Sequence, residues 1–206
     1  MGKLQEKKEA LIAQISEEME KNGGLLKASQ LYDLNMDYRK IKKFVEEGIL
    51  ERVKNGYYGM GFSRKPEETM IAELYPDGVL CLETALYYYG YTDVRPAYWQ
   101  IAVDKNTSKS RFKVAYPLVQ PYYAEPSVLG LGAESFELGG GTMRIYNRER
   151  VICDCLKFEE KLDRNILKRA VLMYIREPQK DIQKLLEYAE IRRVTQKVQN
   201  RIGVWL

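Results

Sequence analysis

Along residues 4–21, LQEKKEALIAQISEEMEK, apolar side chains return every three to four positions: Leu4, Leu11, Ile15 and Met19, with Ile12 beside them. That period predicts an amphipathic helix. The glycines of NGG at 22–24 predict its end, because glycine accepts left-handed backbone angles. LLKASQLYDL then predicts a short extended segment at Leu25 and Leu26 and a short helix near Ala28–Leu31. DLN at 33–35 turns the chain and leaves Asn35 or Asp37 to cap a further helix over residues 36–47.

On that helix, with Ile41 at zero and a step of about 100° per residue, Phe44 and Val45 lie within about 60° of Ile41 and form a core face. Met36, Arg39, Lys40 and Lys43 fall on the far side, at roughly 160° to 260°, with Lys42 on the flank. Gly48 ends the helix. ILERV and GYYGM then alternate as two strands should, and KNG between them predicts a tight hairpin.

A helix, a short helix, a turn, a basic helix and a two-stranded hairpin make the order of a winged helix-turn-helix, expected over residues 1–61. Its chemistry would be the binding of double-stranded DNA. A helix fits the major groove, a basic outer face meets phosphates and base edges, and a hairpin reaches the neighbouring groove. The expected groove-facing set is Met36, Tyr38, Arg39, Lys40 and Lys43, with Lys42 at its edge; Arg52, Lys54 and Asn55 are expected on the wing. Asp37, Glu46 and Glu47 dilute the charge, so the last turn should point away from a duplex. The plainer alternative is a solvated helix face in a domain that binds nothing.

SRKPEE at 63–68 reads as a connection, and residues 62–206 as a mixed α/β domain with a helical C-terminus, making the chain α+β as a whole. EETMIAELY and LCLETALYYYG predict helices, the second beginning after PDG. YWQIAV at 98–103 and RFKVAYPLV at 111–119 predict strands, and ESFELGGGTMRIY at 134–146 a hairpin across Gly139, Gly140 and Gly141. No Lys-Ser or Lys-Thr pair and no helix follows the three glycines, so they are not a phosphate loop. From Asn147, which can cap RERVICDCLKF, four helical segments run to the end, with Ile166, Leu167, Ala170 and Tyr174 on one stripe of the second. Glu149, Asp154, Glu159, Glu160 and Asp163 alternate with Arg148, Arg150, Lys157 and Lys161, which predicts a solvated face of i,i+4 pairs rather than a metal-dependent nuclease. Cys153 and Cys155 have the wrong spacing for a zinc knuckle and read as buried thiols. YYYGY at 87–91 reads as core packing.

Hydrophobic residues make 45% and charged residues 30% of the 206, a globular balance. No apolar run approaches a membrane span, and a Lys- and Glu-rich start is unlike a secretory leader. Three cysteines suit a reducing compartment, so a cytoplasmic protein is expected. The net charge is only +4, spread as 11 cations against 10 acids in residues 1–60, 10 against 11 in 61–150, and 12 against 8 in 151–206. Any polyanion site must therefore come from local patterning. The chain has no histidine, which excludes Ser-His and Cys-His nucleophiles and removes the commonest metal ligand. No enzyme, no cofactor and no metal is expected.

Five stretches resemble a known family in sequence and in order: GLLKASQLYDLNMDYRKIKKFVEEGILERVKNGYYGM, YPDGVLCLETALYYYGYTD, GGGTMRIYNRERVICDCL, KRAVLMYI and LLEYAEIRRV. Together they are similar to the AbiEi-type antitoxins of type IV toxin–antitoxin, or abortive phage-infection, operons. The resemblance implies a winged helix that binds inverted repeats in its own operon promoter and represses it. It also implies that residues 62–206 counteract a nucleotidyltransferase-like toxin encoded next door, with no stable complex required. An inverted repeat needs two copies, as a dimer or as cooperative monomers. The alternative function is a ligand-responsive winged-helix regulator unrelated to a toxin, in which residues 62–206 sense a small molecule.

Overall fold

The structure is a computed structural model, and the residues it describes are 2–61, 66–114 and 116–203, those of 2–6 by backbone alone. The side chain of Leu4 and residues 63–65 of the expected connection lie outside the described residues. The fold is mixed α and β, and the chain divides into two compact units. One is Met1–Tyr75 with residues 108–117 and 138–141; the other is Pro76–Thr107, Leu118–Glu137 and Thr142–Leu206.

The first unit begins with α1 (Gly2–Lys21), β1 (Leu26–Lys27), α2 (Ala28–Asp33) and α3 (Tyr38–Glu46). The hairpin β2 (Leu50–Lys54) and β3 (Tyr57–Met60) follows, and then α4 (Glu67–Leu74). The strands form an antiparallel sheet in the order β1-β3-β2, with Leu26 opposite Tyr58 and Leu50 opposite Met60. Ile15 and Met19 of α1, Leu31 of α2, Ile41 and Phe44 of α3, and Leu26, Leu50, Tyr58 and Met60 of the sheet share one buried cluster. Burying a Leu or Ile side chain is worth about 1.5–3 kcal/mol, so this cluster holds three helices and a narrow sheet together. The expected helix stripe accounts for it: Leu11 and Ile12 pack at its edge.

Local signals shape the segment between α2 and α3. Asn35 turns the chain at φ 59°, a left-handed angle that Asn tolerates better than most residues. Asp37 then caps α3, its carboxylate accepting the Lys40 N–H at 2.8 Å.

In the second unit β4 (Val79–Leu80) leads into α5 (Leu82–Tyr88) and β5 (Trp99–Asp104). Then come β6 (Val119–Ala124), α6 (Pro126–Leu129), β7 (Ala133–Leu138) and β8 (Gly141–Tyr146). The sheet order is β6-β5-β4-β8-β7, parallel at β5–β6 and β4–β8 and antiparallel at β4–β5. Four helices complete the chain: α7 (Arg148–Lys157), α8 (Arg164–Arg176), α9 (Ile182–Arg192) and α10 (Thr195–Arg201). Asn147 caps α7 as expected, accepting the Arg150 N–H at 3.1 Å.

Two sequence expectations are corrected. The strand expected at 111–119 is a 3-10 turn at Lys109–Phe112, and β6 starts only at Val119. Pro117 has no N–H to give a ladder; Pro121 is tolerated because β6 is an edge strand, paired with β5 alone. A strand, β4, also precedes α5 where only a turn and a helix were expected. Its two residues are too few to show a period, yet it lies in the middle of the sheet.

Gly132, at φ +72°, is held under α7. A Cβ there would stand 2.9 Å from both Arg150 Cβ and Asn147 Oδ1. Gly132→Ala should lower the unfolding free energy by about 2–3 kcal/mol, read as a fall in the urea midpoint.

On the last helix, Lys197 bonds Glu159 at 2.7 Å and Arg201 bonds it at 3.3 Å. The Lys197 hydrogen bond holds the Glu159 carboxyl below its ordinary 4.5. A carboxylate whose pKa is depressed by folding stabilises the fold above its unfolded pKa, and that contribution fades as the pH falls through the folded value. Glu159→Gln should therefore be less stable than the parent at pH 7, and the difference should shrink as the pH is taken progressively below 4.5. Urea titrations over that range check it.

Candidate nucleic-acid interface

Helix α3 presents two faces. Ile41 and Phe44 are buried, whereas Tyr38, Arg39, Lys40, Lys42 and Lys43 are all exposed, Tyr38 by 66%. Arg39 and Lys43, one turn apart, point opposite Ile41. Among the described residues Arg39 has no hydrogen-bond or ion-pair partner. Lys42 and Lys43 make only loose i,i+4 pairs, at 3.7 Å to Glu46 and 3.8 Å to Glu47. Such exposed pairs are worth roughly 0.3–0.5 kcal/mol and give way readily to a phosphate. Glu47 is engaged elsewhere, 2.8 Å from Lys8, and that hydrogen bond holds its carboxyl below the usual range. Lys40 is more constrained: its ammonium donates to the Asn35 carbonyl at 2.9 Å.

Met36 is corrected. It is 1% exposed and belongs to the core cluster. The 100° step placed it outward only on the premise that the helix starts at residue 36. The helix starts at Tyr38, and Met36 belongs to the turn, its N–H donating to the Leu31 carbonyl at 3.0 Å.

On the hairpin, Arg52 and Asn55 are exposed and hydrogen-bonded to each other across the tip. A register shift between Arg52 and Lys54 changes the direction of the strand there. Lys54 is consequently half-buried. Its ammonium lies 4.3 Å from the Tyr57 ring centre, 5.2 Å from that of Tyr75, and 3.4 Å from the Leu74 carbonyl. Lys54 thus lies on the β2–β3 hairpin with its ammonium packed against Tyr57 and Tyr75. Two exposed residues escaped the sequence reading. Lys27 sits 6.0 Å from the Tyr57 ring, and Tyr32 of α2 is 51% exposed. Neither gave a signal, because β1 and α2 are too short for a period.

The second unit holds a different kind of charge. Glu149, Arg150 and Asp154, expected on a solvated face, are 5%, 0% and 4% exposed. Asp154 accepts from Arg150 Nε at 2.9 Å and from Arg192 Nε at 2.7 Å. Arg150 Nη1 reaches the carbonyls of Val128 and Leu131, both at 2.8 Å, and its guanidinium lies 4.2 Å from the Tyr146 ring centre. Glu149 accepts the Asp181 N–H at 2.9 Å and the Tyr174 hydroxyl at 3.3 Å. The i,i+4 pair foreseen between Arg150 and Asp154 exists, but it is buried. Cys153 and Cys155 are buried thiols; burial pushes Cys153 up to about 12 and Cys155 well above its ordinary value, so neither is a ready nucleophile.

No family model matches the chain, and no curated protein matches it. Among the described residues no helix is long and apolar enough to cross a membrane.

Proposed function

We propose that the first unit is a winged helix-turn-helix that binds duplex DNA, with α3 as the recognition helix and the β2–β3 hairpin as the wing. The observation that carries this reading is the exposed cationic ridge of Arg39, Lys42 and Lys43 on a helix whose opposite face is locked in the core. The order helix, strand, helix, helix, strand, strand, with the sheet order β1-β3-β2, supports it. Arg39 is the best placed to read guanine, since its fork makes two parallel bonds to one base. Lys42, Lys43, Lys27 and Arg52 supply phosphate contacts.

The resemblance to AbiEi-type antitoxins extends the reading. The chain represses its own operon at inverted repeats, and its second unit counteracts a nucleotidyltransferase-like toxin. It acts by stoichiometric binding, not by catalysis. A gel-shift titration against the DNA upstream of its own gene tests the first half. With roughly four to six phosphate contacts, log K should fall with log salt at a slope of about −4 to −5. Equal affinity for a scrambled duplex would reject a specific repressor. Co-expression with the neighbouring gene tests the second half, since growth should be rescued by the full chain.

A ligand-responsive regulator is the second reading. One observation favours it: the second unit contains a cleft floored by two buried arginines.

A further inference from the structure

The Arg150–Asp154–Arg192 cluster carries more positive charge than its single carboxylate balances. Asp154 gives one oxygen to each Nε, and Arg150 Nη1 is taken by two carbonyls. Arg150 Nη2 and both terminal nitrogens of Arg192 make no hydrogen bond among the described residues. Yet the two side chains are only 1% and 8% exposed. Buried polar groups in folded proteins are nearly always bonded, and charged ones most of all. These nitrogens are not sealed off: none is both buried from solvent and unpartnered. Both arginines line a cleft of about 20 Å³ with Cys81, Tyr122, Tyr123 and Phe158.

The surroundings favour an anion. Among the lining residues two cations face one acid. Lys157, close by, is held below its ordinary pKa by burial and then by the Arg192 charge, so another cation feels the excess. The Tyr146 ring centre lies 4.2 Å from the Arg150 guanidinium, and the Asp154 carboxylate holds both Nε groups. The two terminal nitrogens of Arg192 form a fork that matches the paired oxygens of a carboxylate or phosphate, and Arg150 Nη2 adds a single donor. The enclosed room suffices for about one water, so a single anion oxygen would enter and the rest of the head group would lie at the mouth of the cleft.

We propose that this cleft binds the head group of a small oxyanion, carboxylate or phosphate, between the guanidiniums of Arg150 and Arg192. The site uses no residue of the DNA-binding face and does not depend on either functional reading above.

The test follows the arginine Nε–Hε resonances of the ¹⁵N-labelled full chain during titration with inorganic phosphate and, separately, with acetate, at constant ionic strength. The Arg150 and Arg192 signals should shift and saturate with at least one of the two anions, which also identifies the head group. Arg192→Lys keeps a cation beside Asp154 but loses the fork, and should bind at least tenfold more weakly. No saturable shift in the parent protein with either anion overturns the proposal, and so does an unchanged affinity in Arg192→Lys. If that variant does not fold, the parent titration decides alone. DNA is absent throughout, so the result bears on this site only.

Discussion

Replacing Arg39 and Lys43 together by alanine is expected to weaken binding to the DNA upstream of the chain's own gene by about 30- to 1,000-fold. The estimate adds about 1–3 kcal/mol for a guanidinium lost from a guanine edge to about 1 kcal/mol for a lost phosphate contact. The salt slope should become shallower by about one for the Lys43 contact. The fold should be untouched, because both side chains are exposed while Ile41 and Phe44 keep the helix in the core. Separate single variants divide the roles. Arg39→Ala should relax preference between sequences, whereas Lys43→Ala should weaken all duplexes alike. A double variant that binds its DNA as tightly as the parent at fixed salt, with an unchanged melting temperature, would remove α3 as the recognition helix.

That prediction rests on the part of the chain where sequence was most legible. In α1 and α3 an apolar stripe of the right period faces the core, and Asn-Gly marks the β2–β3 turn, so elements and faces followed from local pattern alone. Met36 shows where the method stops. A helical wheel extrapolates correctly only inside the helix, and the Asp37 cap moved the start two residues along, turning Met36 inward. Lys54 shows another limit. Strand alternation gives a side for each residue, but a register shift and the rings of Tyr57 and Tyr75 decided where its ammonium came to rest.

The second unit was less legible, for reasons of range. β4 has two residues and its position depends on partners from β5 and β8, one of them some 65 residues later. The charged pattern of α7 misled more seriously. Arg150 and Asp154 at i,i+4 look alike whether water or protein covers them. What covers them is α9, whose Arg192 joins Asp154 across 38 residues of sequence. Burial of an ion pair is a tertiary property, and no local window contains it.

The buried cluster yields the largest expected effect on stability. Asp154→Ala leaves two guanidiniums, 1% and 8% exposed, with no counter-charge. Removing one partner of a buried ion pair costs about 3–5 kcal/mol, and here the loss leaves two like charges facing each other, so a value at the upper end is expected. Arg192→Met should cost much less, about 1–2 kcal/mol, since Arg150 and Asp154 remain a neutral, hydrogen-bonded pair and methionine fills part of the space. Chemical unfolding of both variants at low ionic strength makes the comparison. The order matters more than either number. If Asp154→Ala were no less stable than Arg192→Met, the cluster would not be an excess of positive charge held by one carboxylate. The guanidiniums would then have to be satisfied by solvent at the cleft rather than by Asp154.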